Sequence, residues 1–156
     1  MGEEIIINTI IEHLKDKVLE VTNPAVRRIF LKVDKSNLVE VVQFLRDRFN
    51  FTHLSTISGM DMGDKFELLY HLANENTLLS VRILTERDNP KVPTITSVIP
   101  GAILYERELQ DMFGIIVEDI PDSRPLLLPD GWPQGVHPLR KDWKFTPLEE
   151  KKPIEA

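Results

Sequence analysis

The chain has 156 residues, 42% of them hydrophobic and 28% charged, enough for one packed domain and an extension. Its net charge of −6 argues against a phosphate-binding surface, and its lack of cysteine removes disulfides, thiolate nucleophiles, cysteine zinc sites and cysteine-held iron–sulfur clusters. No apolar run approaches the roughly 20 residues of a membrane-spanning helix, so work at a membrane needs a partner that holds the chain there.

The first residues, MGEEIIINTIIEHLKDK, are acidic with only a short apolar run, unlike a secretory signal. Ile5, Ile6, Ile10, Ile11 and Leu14 recur at helical spacing and predict a helix over 3–16. Val18 to Val21 reads as a short strand, Asn23-Pro24 as a turn, and Arg28 to Val33 as an alternating strand. Asp34, Ser36 or Asn37 then caps a helix whose stripe is Leu38, Val41, Val42, Leu45 and Phe49. Arg46 and Arg48 fall in its last turns, where cations suit the helix dipole.

Three strands are expected next: Phe51–Ile57, Phe66–Ala73 and Leu78–Leu84. Gly59 with Asp61 to Asp64 marks the first turn between them, and Asn74-Glu75-Asn76 the second. Short links between consecutive strands favour antiparallel pairing. Ser80 and Arg82 alternate with Leu79, Val81 and Ile83, which leaves one sheet face at least partly wet. Asp88 to Pro93 reads as a loop, and a helix follows near Pro100. Tyr105, Leu109, Met112 and Phe113 line one side of that helix, and Gly114 is its C-cap. The expected fold is α+β over residues 1–114: a mostly antiparallel sheet with helices packed on one face. A long proline-rich irregular segment, 115–156, completes the chain.

That segment holds most of the eleven prolines yet carries Leu126, Leu127, Leu128, Trp132, Leu139 and Trp143. Proline has no N–H and a fixed φ, so regular structure is excluded there. So apolar a ribbon is stable only when laid along its own domain or along a partner, and full order is expected only in a complex.

Glu106, Arg107, Glu108 and Asp111 are the carboxylates and cation with catalytic potential. Glu106 and Glu108 diverge on a helix, whereas Glu108 and Asp111 converge; Arg107 and Asp111 have the spacing of an i,i+4 ion pair. A lone enzyme would use Glu108 and Asp111 with His137 as acid and base. In the run His137-Pro138-Leu139-Arg140-Lys141-Asp142, the planar fork of Arg140 suits a carboxylate on a partner or on the helix. His13, His53, His71 and His137 have no metal-ligand spacing, Asp61 reads as a turn residue, and no glycine-rich phosphate loop is present. Structure or interface is the simpler role for all of these.

The run ERELQDMFGI, the proline-rich loop after it and HPLRKDW together resemble the NADH dehydrogenase 30 kDa subunit family of respiratory complex I, which includes subunits of membrane-bound energy-converting [NiFe] hydrogenases of the Ech kind. The clear match is Tyr105 to Trp143. The complex I form usually has Gly-His-Pro where this chain has Glu118-Asp119-Ile120-Pro121, and paired arginines where it has Ser123-Arg124-Pro125, so the hydrogenase-associated branch is the better fit. The resemblance implies a non-catalytic assembly subunit, with no cofactor of its own, in the peripheral arm on the cytoplasmic side of the cell membrane. Its implied partners are a large catalytic subunit with a [NiFe] centre, a small iron–sulfur subunit and membrane subunits. Glu106, Arg107, Glu108, Asp111, Phe113 and Gly114 of the helix are implied interface residues. So are Trp132, His137, Pro138, Leu139, Arg140, Lys141, Asp142 and Trp143 of the ribbon. The alternatives are the 30 kDa-family subunit of an NADH:quinone oxidoreductase and, from another class, a regulatory binding module.

Overall fold

The structure, a computed structural model, describes residues 2–145; the end of the expected irregular segment, 146–156, lies outside the described residues. Helix α1 (Glu3–Leu14) buries Ile6, Ile10 and Leu14 and ends in a short 3-10 turn. Strands β1 (Val18–Ala25) and β2 (Arg28–Val33) pair antiparallel. Helix α2 (Leu38–Phe49) buries the whole expected stripe and closes on Asn50 in the left-handed region. Strands β3 (His53–Asp61), β4 (Lys65–Ala73) and β5 (Leu78–Glu86) form two further antiparallel pairs. A short strand β6 (Lys91–Pro93) precedes helix α3 (Ala102–Phe113) and pairs in parallel with β7 (Ile116–Glu118).

The main sheet runs β1-β2-β5-β4-β3, antiparallel except where β2 meets β5 in parallel. Strand alternation sends Ile29, Leu31, Leu68, Tyr70, Leu72, Leu79, Val81 and Ile83 to one face, where they form one core with the buried stripes of the helices. The opposite face is polar or mixed. There His71 joins the hydroxyls of Ser80 and Ser58 at 2.8 and 3.2 Å, and Arg82 pairs with Glu67. The α+β architecture thus follows the hydrophobic pattern.

Three local expectations give way. Asn23-Pro24 lies inside β1, where the ladder only shifts register, and the turn comes at Val26-Arg27. An edge strand tolerates a proline because its missing N–H can face solvent. Gly59 sits within β3, not in the turn, which forms instead around Gly63 at φ +100°. Gly59 is required by packing: a Cβ there would stand 2.6 Å from Phe113 Cε2. Finally, part of the expected 88–93 loop is β6; buried Ile115 and its partner strand β7, with buried Val117, carry the compact body past Gly114 to Glu118.

Candidate functional site: the seam between helix α3 and the ribbon

Helix α3 divides its motif residues between interior and seam. Glu106 and Phe113 are buried and have no surface to offer a partner. Glu106 accepts hydrogen bonds from the Ile95 amide at 2.8 Å and the Thr94 hydroxyl at 2.6 Å; Phe113 packs edge-on against Phe66. The expected Arg107–Asp111 pair does not form, because both side chains turn to the ribbon. Arg107 donates to the carbonyls of Arg124 and Pro125 at 2.7 and 3.0 Å and lies 3.4 Å from Asp122. One oxygen of the buried Asp111 carboxylate accepts three consecutive amides, Leu126, Leu127 and Leu128, at 2.8, 2.7 and 3.1 Å.

The HPLRKD segment closes the other end of the helix. The last carbonyls of a helix lack intrahelical donors and carry its negative dipole end. Here His137 Nδ1 donates to the Asp111 carbonyl at 2.9 Å, the Leu139 amide to Met112 at 3.0 Å, and Arg140 Nε to Phe113 at 2.6 Å. Arg140 therefore meets a helix terminus and not a carboxylate. Its guanidinium also lies 5.2 Å from the centre of the Phe66 ring, and that of Arg87 lies 5.3 Å from the same ring, both within cation–π range.

A third tie runs back to the sheet. Asp61, at the end of β3, accepts the Arg87 guanidinium through both oxygens at 2.7 Å, the Gly63 amide at 2.8 Å and the ribbon amide of Lys141 at 2.9 Å. Arg87 also reaches Asp142 at 2.9 Å. Sequence reasoning took Asp61 for a turn residue and passed over Arg87, Phe66 and Asp122. The missed signal is a buried carboxylate at the end of β3 and a partly buried arginine just past β5, brought together across β4, which shows only once the strands are paired.

Gly114 lies where helix and ribbon touch, at φ +71°. A Cβ there would stand 2.4 Å from His137 Nε2 and 2.7 Å from Arg140 Nη2, so Gly114→Ala strains the backbone and drives out both capping side chains. A loss of about 2–4 kcal/mol is expected, in the range for strain and lost packing. Urea unfolding of the purified variant checks this; a change below about 0.5 kcal/mol contradicts the packing described.

The arrangement is built for holding. Asp111 Oδ2 accepts three amides, His137 Nδ1 meets a carbonyl, and Glu108 forms no side-chain hydrogen bond among the described residues. Trp132 and the backbone around Pro129 and Gly135 enclose a cavity of about 260 Å³ beside Asp111 and His137. Trp132 donates its indole N–H to the Val136 carbonyl at 2.8 Å, and Trp143 packs edge-on against Phe145. Asp111 and His137 both line this cavity, with Oδ2 and Nδ1 already engaged by backbone groups of the ribbon and the helix.

Known proteins share this framework. Residues 31–149 match the family model described as respiratory-chain NADH dehydrogenase, 30 Kd subunit. The C-type subunit of the F(420)H(2) dehydrogenase of Methanosarcina mazei is 36% identical over 147 residues, covering 89% of this chain and 92% of that protein. The membrane-bound hydrogenase subunit beta of Pyrococcus furiosus is 31% identical, covering 78% of this chain and 73% of that one. The corresponding C-type subunit of the NADH-quinone oxidoreductase of Mesorhizobium japonicum is 38% identical, but the match covers 77% of this chain and only 62% of that longer protein. Among solved structures, a chain of the membrane-bound sulfane sulfur reductase, an archaeal respiratory membrane complex, superposes with a TM-score of 0.80 at 25% identity, covering 90% of this chain and 85% of its own. No helix among the described residues is long and apolar enough to cross a membrane. By its family match and by the identity and extent of these relatives, the chain belongs to the respiratory-chain NADH dehydrogenase 30 kDa subunit family.

Proposed function

We propose that this chain is a non-catalytic assembly subunit of a membrane-bound, complex I-related energy-converting complex of the [NiFe] hydrogenase type, and that its ribbon is the surface on which the large catalytic subunit docks. One observation carries this reading. Leu127 is 54% and Leu139 53% exposed, and each projects from backbone that α3 fixes by hydrogen bonds. Apolar side chains held rigidly in water mark a surface that a neighbour covers. A ribbon already ordered loses little further entropy on docking.

In this reading the motif residues divide their labour. Arg107, Asp111, His137 and Arg140 shape the ribbon from behind, while Leu127, Leu139, Lys141 and the Trp143–Phe145 pair meet the partner. The [NiFe] centre and the iron–sulfur clusters belong to the large and small partner subunits, and ion movement to the membrane subunits. The chain sits peripherally on the cytoplasmic side. The match across 92% of an F(420)H(2) dehydrogenase subunit favours a second reading, in which the same assembly role serves a complex with a different electron donor.

Isolation of the tagged chain from native membranes in mild detergent separates the readings. A large subunit with two CxxC pairs, enough thiolates for a bimetallic centre, is the expected companion. A large subunit without them supports the second reading. Recovery of the chain alone, as a monomer, contradicts the assembly role.

A further inference from the structure

Glu106 differs from the other buried carboxylates of the described residues. Asp61 and Glu67 each face an arginine, and Asp111 faces three amides. Glu106 is fully buried, no cation is paired with it among the described residues, and its two partners are neutral. Burial pushes its pKa above the ordinary carboxylate value, with Thr94 and Ile95 only partly opposing.

The Thr94 hydroxyl that meets Glu106 is also 2.8 Å from the Thr96 hydroxyl and accepts the Thr96 amide at 3.1 Å. Thr94, Thr96 and Ser97 line a solvent-facing cleft of about 530 Å³, together with Glu118 and Asp119. On the inner side stands Tyr70 of β4. Its buried hydroxyl is the one buried side-chain polar atom without a partner among the described residues, and the Glu106 charge adds to burial in raising its pKa. From α2, Arg46 spends itself on the Val98 carbonyl at 2.9 Å and on Asp47.

We propose that Glu106 is a proton-exchange site, which takes up and releases a proton through the Thr94 and Thr96 hydroxyls that link it to the cleft shared by Glu118 and Asp119. The hydrogen bonds balance in both states. With Glu106 ionised, Thr94 donates to it and accepts from the Thr96 amide and hydroxyl. On uptake, a hydronium ion in the cleft gives a proton to Thr96 Oγ1 and is left as water, the Thr96 proton passes to Thr94, and the Thr94 proton passes to Glu106 Oε2. One O–H bond forms on Glu106, its charge goes from −1 to zero, and both hydroxyls are regenerated with reversed direction. Thr94 then accepts from Glu106 and the Thr96 amide and donates to Thr96, so no lone pair or proton is stranded. The relay needs no partner subunit and does not depend on which complex the chain serves.

Infrared titration of the purified full chain tests this. A buried carboxylic C=O band is expected to appear on acidification with a midpoint above that of ordinary glutamate, and to be absent in Glu106→Gln, which retains the acceptor for Ile95. The stability change has a fixed sign. A folded pKa above the unfolded one gives stabilisation that is complete below the unfolded pKa and lost as pH rises through the folded pKa; Glu106→Gln lacks that loss. Thr96→Val leaves the Thr94–Glu106 bond in place and removes the hydroxyl through which the proposed relay passes between Thr94 and the cleft. It is expected to keep the midpoint and slow the band's response to a pH jump about tenfold or more, one decade per 1.36 kcal/mol of barrier. A Thr96→Val response at the wild-type rate overturns the relay, and absence of the Glu106 band throughout the folded pH range overturns the site.

Discussion

Asp61→Ala is expected to lower stability by about 3 kcal/mol, the low end of the usual cost of removing one partner from a buried charge pair because Arg87 is partly exposed, and the melting temperature by roughly 10 °C in a domain of this size. The side chain is buried, and its loss strands Arg87, which lies over Phe66 with only the exposed Asp142 left to pair with it. It also releases the Lys141 amide, the tie between ribbon and sheet. A pH dependence follows. Burial raises the Asp61 pKa, but the Arg87 guanidinium and the amides of Lys141 and Gly63 outweigh it and bring the value from 3.8 down to about 2. A folded pKa below the unfolded one means stabilisation that is present above 3.8 and lost as pH falls toward 2. Wild type should thus lose roughly 2 kcal/mol across that window, a loss that Asp61→Asn lacks. Urea unfolding at pH 7, 4 and 2.5 on the three proteins checks both statements.

Asp111→Ala should act on the ribbon first and on the domain second. Three consecutive amides lose their acceptor at once, each worth about 1–3 kcal/mol when left buried and unsatisfied and less where, as here, the bonds are only partly buried. A net loss of about 2–4 kcal/mol is expected. In the isolated wild-type chain, the amides of Leu126, Leu127, Leu128 and Leu139 should exchange slowly, since each has an intrachain acceptor. In Asp111→Ala the first three should exchange at rates near those of an open chain while the core strands keep their protection. Uniform speeding, core strands included, would mean that ribbon and domain unfold as one unit.

The stripe of α2 and the alternation of β2 and β5 were legible because burial imposes its period directly on residue choice; in α1 only Ile6, Ile10 and Leu14 of the expected stripe are buried, and Ile5 and Ile11 face outward. Gly59 and Pro24 misled because both are punctuation in a local code. Their actual reasons are non-local: a phenylalanine ring from α3 in one case, an unpaired strand edge in the other. The motif itself could be read, since its residues stand together in the chain, but its mechanics could not. That Asp111 turns from Arg107 to three amides fifteen or more residues away, and that Arg140 caps a helix, depend on a loop path without periodicity. The ribbon's apolar residues could be weighed from the sequence, whereas the hydrogen bonds that tie it to α3 could not.

In the proposed assembly role, α3 holds the ribbon so that Leu127 and Leu139 meet another subunit. Leu127→Asp with Leu139→Asp puts two charges on surfaces already exposed to water, so the isolated chain should melt within about 2 °C of wild type. Recovery of the variant with the membrane complex should fall at least about thirtyfold, as for loss of an interface hot spot of 2 kcal/mol or more. Normal recovery with the complex, or a collapse of the melting temperature, would contradict the account.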